Sequence, residues 1–200
     1  MNLTQCHRCG KQVPSHNLIH YTTESGSQEL CTQCFNADVA ERSCVDNFDN
    51  HTIDPISLVD CAGVSHTFHF RTRLMGPEMV VLEAFELKNG APAGYRFQLI
   101  ADPGEDRFAQ LARLVQKMRR ALGTRYLDDS PHGLQIKDME VRGHIEADLS
   151  DEGNLFDARL PMLIIDGREV TWEEFGHMLM TFEGYQFKLK IADPSDDVND

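Results

Sequence analysis

The sequence contains no run of about 18 apolar residues, so nothing in it reads as a membrane-spanning helix. Positive charge is scarce. Nineteen Lys and Arg face 32 Asp and Glu, giving a net charge of -13. That balance argues against nucleic acid and against anionic membranes as partners, since both need clustered bases. The first residues lack the apolar stretch of a secretory signal, and a cytoplasmic location is the expectation. GxGxxG, P-loop, HExxH and GxSxG motifs are all missing. No pair of acids stands out by spacing as an acid–base dyad, and the acidic stretch 148–157 reads as a solvated loop.

What is present is ordinary for a globular protein: 200 residues, 41% hydrophobic and 26% charged. Against that background two CxxC pairs stand out, Cys6–Cys9 and Cys31–Cys34. Four thiols so spaced can close a tetrahedral cage around one metal ion, and zinc is the expected ion. In a reducing compartment paired cysteines serve as metal ligands more often than as disulfides. Four thiolates fill the coordination shell and leave no position for a reactive water, so the expected zinc is structural. No βαβ pattern surrounds either pair, which argues against a thioredoxin-like redox motif. Cys44 and Cys61, with His51, His66 and His69, do not form a second set at regular spacing and are read as non-ligands.

The segment around the pairs has a readable order. Cys6-x-x-Cys9-Gly10 is knuckle-like, residues 18–22 and 28–30 suggest a hairpin, and Cys31 and Cys34 open a helical stretch over residues 32–42. The helix N-terminus is expected to stabilise thiolates. Knuckle, hairpin and helix in this order resemble the treble-clef zinc finger family. That resemblance implies Cys6, Cys9, Cys31 and Cys34 as ligands of one structural zinc ion. The segment is not basic, as DNA-gripping fingers are.

Residues 45–58 are polar and acidic and read as a linker. Strands are expected at residues 64–74, 79–87 and 95–101, with a turn over 88–94. A helix is expected from residue 105 to about 126, with an apolar stripe of Phe108, Leu111, Val115, Met118 and Leu122. Arg113, Lys117 and Arg120 form a basic row on it, read as a solvated face or a partner site. Residues 128–133 read as a break. Strands follow at 139–147 and 160–165, and Asp166-Gly167 signals a hairpin. Thr171-Trp-Glu-Glu174 reads as a capping box, with Trp172, Phe175, Leu179 and Phe182 as the apolar face behind it. A last strand is expected over 185–191, then an acidic tail, 193–200. Gly94-Tyr-Arg-Phe-Gln-Leu is echoed by Gly184-Tyr-Gln-Phe-Lys-Leu, which leaves duplication open. The stretch from Val170 to Gly176, with Glu183 to Leu189, is similar to the ending of uncharacterised bacterial proteins of unknown function.

The expected architecture is thus α+β. A zinc module spans residues 1–44 and a linker 45–58. An antiparallel α+β domain spans 59–192, with the question of whether its halves 59–127 and 133–192 are related left open by the echo. The expected function is that of a zinc-binding, non-catalytic protein-interaction or adaptor protein with a protein partner. The alternative is an enzyme in which His66, His69, His132 and Asp166 converge in a cleft.

Overall fold

The computed structural model describes residues 3–23, 26–131, 133–147, 160–194 and 196. The fold is α+β, with antiparallel strands and three helices among the described residues. No helix among them is long and apolar enough to cross a membrane.

Short strands β1 (Leu3–Gln5) and β2 (Gln12–Pro14) pair around the first CxxC, and a 3-10 turn, Ser15–Asn17, follows. β3 (Leu18–Thr23) and β4 (Gly26–Cys31) form the expected hairpin. Its turn residues Glu24 and Ser25 lie outside the described residues. Helix α1 (Thr32–Ser43) starts directly after β4, and Cys44 closes it in the left-handed conformation at φ 53.

The central unit is a four-stranded antiparallel sheet in the order β5-β6-β7-β8. β5 is Ile56–Val59, so the last residues of the expected linker belong to the sheet. β6 is Ser65–Leu74, β7 is Val80–Lys88 and β8 is Ala91–Ala101. The turn is tighter than the expected 88–94 span. Asn89 (φ 56) and Gly90 (φ 84) make a two-residue hairpin of the type that matches strand twist. A bulge interrupts the pairing: Phe85 faces Arg96 and Glu86 faces Ala93, which leaves Gly94 and Tyr95 as extra residues.

Helix α2 (Arg107–Leu122) lies against β7 and β8 and ends four residues earlier than expected, at a Gly123 cap. Its buried face is Gln110, Leu114, Met118 and Leu122, with Leu111 and Val115 half-buried. Phe108, placed in the stripe by its spacing, is 80% exposed. Periodicity could not show this, because the first-turn position in the core is held by polar Gln110. Leu114, Met118 and Leu122 pack on Phe68, Phe70, Leu82, Ala84 and Leu99 of the sheet.

The third unit begins where a break is expected. Residues 127–130 and 133–136 form a hairpin, β9 (Leu127–Ser130) with β10 (Gly133–Ile136). The expected strand over 139–147 shrinks to β11 (His144–Ala147), since Asp138 and Met139 both have positive φ. β12 (Pro161–Ile165) and β13 (Arg168–Thr171) flank the Asp166-Gly167 turn, and β11, β12 and β13 make one sheet. Thr171 and Glu174 form the capping box of α3 (Trp172–Met180). Its buried residue is Met178, with Phe175 beside it, whereas Trp172 and Leu179 are exposed. Residues 185–191 form no strand. Tyr185, Phe187, Leu189 and Ile191 are all exposed, Phe187 by 90%. The two echoed segments therefore differ in state: the first is in β8, and the second is in no strand. The acidic stretch 148–157 and residues 195 and 197–200 of the tail lie outside the described residues.

Candidate metal centre

Cys6 and Cys9 sit on the turn between β1 and β2. That turn is closed by bonds from Gly10 N to Cys6 O (2.9 Å) and from Cys6 N to Lys11 O (3.0 Å). Gly10 stands at φ 70, where a side chain would be strained. Cys31 is the N-cap of α1 and Cys34 lies on its first turn. One ligand atom from each of the four lies within 4.8 Å of all the others. Cys9 Sγ and Cys31 Sγ are 3.9 Å apart. Tetrahedral Zn–S bonds of about 2.3 Å would place sulfurs about 3.8 Å apart, so the residues present fit such an ion.

The cage is wired to its surroundings. The Cys31 amide donates to Cys6 Sγ at 3.2 Å, and Arg8 Nη1 donates to the Cys34 carbonyl at 3.2 Å. Burial pushes the Cys6 thiol up, but hydrogen bonds from the Cys31, Cys9 and Arg8 backbone outweigh it and bring the pKa down to about 6. Cys34 goes the other way, raised by burial and by the neighbouring sulfurs of Cys31, Cys9 and Cys6. Cys31 is raised too, chiefly by burial. Against that, the Cys34 backbone amide at the start of α1 pulls the Cys31 thiol down, as a helix N-terminus should. A bound cation is what would ionise all four together. Cys44 and Cys61 are exposed and lie outside this group.

Of the residues expected in a catalytic cleft, His66 and the Asp166-Gly167 turn both lie beside Tyr95, while His69 does not join them. His66 and His69 occupy opposite faces of β6, as alternation demands. His69 meets His16 at 5.7 Å between ring centroids on the side of the Cys module. His66 instead lies between two carboxylates, Glu86 Oε1 at 2.9 Å and Asp60 Oδ2 at 3.3 Å, with Tyr95 edge-on. The Val64 amide is the main cause holding Asp60 below the usual carboxylate range, and His66 adds to it. Asp166 is occupied by the Tyr126 and Leu127 amides, at 2.8 and 2.7 Å. His132 lies outside the described residues. The grouping of Asp60, His66, Glu86 and Tyr95 has no signature in spacing, because its members come from a loop and three different strands.

The basic row is engaged by the chain itself. Arg113 pairs with Glu105 at 2.6 Å. Lys117 donates to the carbonyls of Gln98 (3.3 Å), Asp196 (3.0 Å) and Pro194. Arg120 stands one turn after Lys117 and two turns after Arg113 on the same helix.

Three family models match the chain in succession. Each is described as a domain of unknown function: DUF7685 over residues 5–46, DUF7686 over 50–123 and DUF7713 over 126–196. No curated protein and no solved structure matches the chain. The matches run parallel to the packing. The cluster of Cys6, Leu30, Cys31 and Phe35 lies within the first matched stretch. The cluster of Phe68, Leu82, Leu114 and Met118 lies within the second, and that of Leu127, Ile165, Val170 and Met178 within the third. The half-buried apolar residues around each cluster obey the same division.

Proposed function

We propose that this protein binds one structural zinc ion through Cys6, Cys9, Cys31 and Cys34, and acts as a non-catalytic interaction or adaptor protein. The observation that carries the reading is the closed set of four sulfurs, which offers a metal no free coordination position. A treble-clef arrangement is supported by the order of parts: the turn between β1 and β2, the β3–β4 hairpin, then α1 with the second pair at its start. Docking of a protein partner is supported by the exposed row of Tyr185, Phe187, Leu189 and Ile191, since exposed apolar patches mark interaction surfaces.

Two measurements test it. Purified protein should carry about one zinc per chain, with sulfur-only ligation at about 2.3 Å by X-ray absorption. Cys34→Ser should lose the metal and Cys44→Ser should keep it. Full metal retention by Cys34→Ser would show the ligand set to be wrong. For the interaction, a partner captured by the intact protein should be lost by a Phe187→Ser, Leu189→Ser double change. Capture unaffected by that change would remove this surface from the proposal.

A further inference from the structure

Helix α3 is poorly covered. Among its residues Trp172 to Met180, only Met178 is buried and Phe175 half-buried. Trp172, Phe175, Gly176 and Leu179 follow one another at helical spacing and make one stripe along it. Trp172 is 49% exposed and Leu179 44%, and the Trp172 ring lies 5.8 Å from that of Phe175 between centroids. Gly176 stands in the middle of the stripe, and nothing lies within 4 Å of where its Cβ would be. Glycine inside a helix costs stability, and what it allows is close approach of another group. The stripe is thus a shallow groove, with Trp172 and Leu179 at its ends and Gly176 as its floor.

A second uncovered apolar surface follows in the same unit. Residues 183–191 are exposed without interruption, and along them Tyr185, Phe187, Leu189 and Ile191 alternate with Gln186, Lys188 and Lys190. This arm runs from the end of α3 to α2, where Lys117 donates to the carbonyls of Pro194 and Asp196. That course leaves the groove of its own α3 open.

We infer that the protein forms a two-fold dimer in which the arm of each copy lies in the α3 groove of the other. The inference rests on the docking row proposed above and names its partner as a second copy of this chain. The dimensions agree. An extended row advances roughly 6.6 Å between alternate side chains, so three of them span the roughly 13 Å of a helix as long as α3. Phe187, between Tyr185 and Leu189, is then set over Gly176. Charge agrees as well. From residue 184 to 192 the arm carries Lys188 and Lys190 and no acid, whereas α3 opens with Glu173 and Glu174. Two chains of net charge -13 repel over most of their surfaces, so opposite signs at this face select it. A two-fold exchange seats both arms and both grooves at once. With four large side chains on each arm, it takes on the order of 2,000 Å² from water, and specific interfaces need roughly 1,200–2,000 Å².

Trp172 is the only tryptophan of the chain, so its fluorescence reads the groove directly. The test dilutes the full-length protein and follows its mass by sedimentation equilibrium. A dimer is expected, with Trp172 emission moving to the red over the concentration range in which the mass halves. Gly176→Gln fills the groove and favours the helix, so it should stay folded by circular dichroism yet lose the dimer. Phe187→Ser with Leu189→Ser disables the arm instead, at two exposed positions. Either change should raise the dimer dissociation constant about a hundredfold or more. Mixed, the two variants should pair with each other more tightly than with themselves, because one intact arm then meets one intact groove. If Gly176→Gln does not fold, the arm variant and the Trp172 emission decide. A monomeric parent, a dimer that persists in either folded variant, or emission unmoved by dimerisation would overturn the inference. A monomeric parent whose row still captures a partner, lost on the double change, would remove the second copy and leave the docking row standing. A monomeric parent that captures none would remove both.

Discussion

The backbone amide of Leu74 donates to Oδ1 of Asn36 at 2.9 Å, although the two residues are 38 positions apart. Nδ2 of the same side chain donates to the Thr72 carbonyl at 2.8 Å. Because β5 reaches only as far as Phe68, this stretch of β6 has an open edge. The Asn36 carboxamide takes the place of a neighbouring strand there, and so ties α1 to the central sheet. Replacing Asn36 with Ala should leave two buried backbone groups unpaired, at a cost of about 2–4 kcal/mol. Urea unfolding would measure it, and a loss below about 0.5 kcal/mol would mean that water reaches this edge.

Gly94 should tolerate no side chain. It stands at φ 66 in the bulge, and a Cβ there would collide with the Glu86 carboxylate. That carboxylate accepts from the Tyr95 amide at 2.9 Å while holding His66. Gly94→Ala is expected to destabilise by about 1–3 kcal/mol. A Gly176→Ala control has open space around it and should be close to neutral or mildly stabilising. Equal effects at the two sites would refute the collision.

Stability should fall on mild acidification. Burial holds the His16 pKa below its ordinary 6.5, and His69 and Arg71 reinforce this, against the opposing bond to the Gly90 carbonyl. Burial likewise lowers His144. Groups that stay neutral when folded bind more protons when unfolded. Their contribution is therefore complete above about pH 6.5 and is lost as pH drops below that value toward the folded pKa. A His16→Gln, His144→Gln protein should show a flatter melting temperature between pH 7 and 5 than the parent. A parallel decline in both would assign the effect to carboxylates.

Removing the metal should loosen one part and spare the rest. The cluster of Leu30, Cys31 and Phe35 shares no residue with the cluster beneath α2. The two are joined by polar contacts at Asn36 and by His16 against Phe85. After strong chelation, protease should cut within residues 1 to 44 and leave a folded remainder. A single cooperative collapse of the whole chain would show that the contact at Asn36 makes the parts one unit.

The sequence was most readable where one force dominates. The Cys spacing located four thiols that the fold draws together, and the alternation of β6 separated His66 from His69 correctly. The DG turn and the capping box at Thr171 needed only local geometry. Failures came where polar bonding outranked apolar periodicity. Gln110 took a core place and pushed Phe108 outward, because its amide could bond two loop carbonyls. Asp138 and Met139 cut short β11 through left-handed conformations that nothing in their neighbours announces. Residues 185–191 alternate as well as β8 does, but alternation only prepares a strand. Pairing needs a partner edge, and no edge among the described residues takes them.

The division of the apolar residues has a consequence for how the chain is made. Each cluster draws its members from one continuous stretch: residues 6–39, then 53–122, then 126–178. No cluster waits for a residue from a later stretch. During synthesis each can condense once its own last member has emerged from the ribosome, in N-to-C order, with low loop-closure cost. The seams at Asn36 and His16 are left to form afterward, between parts already folded.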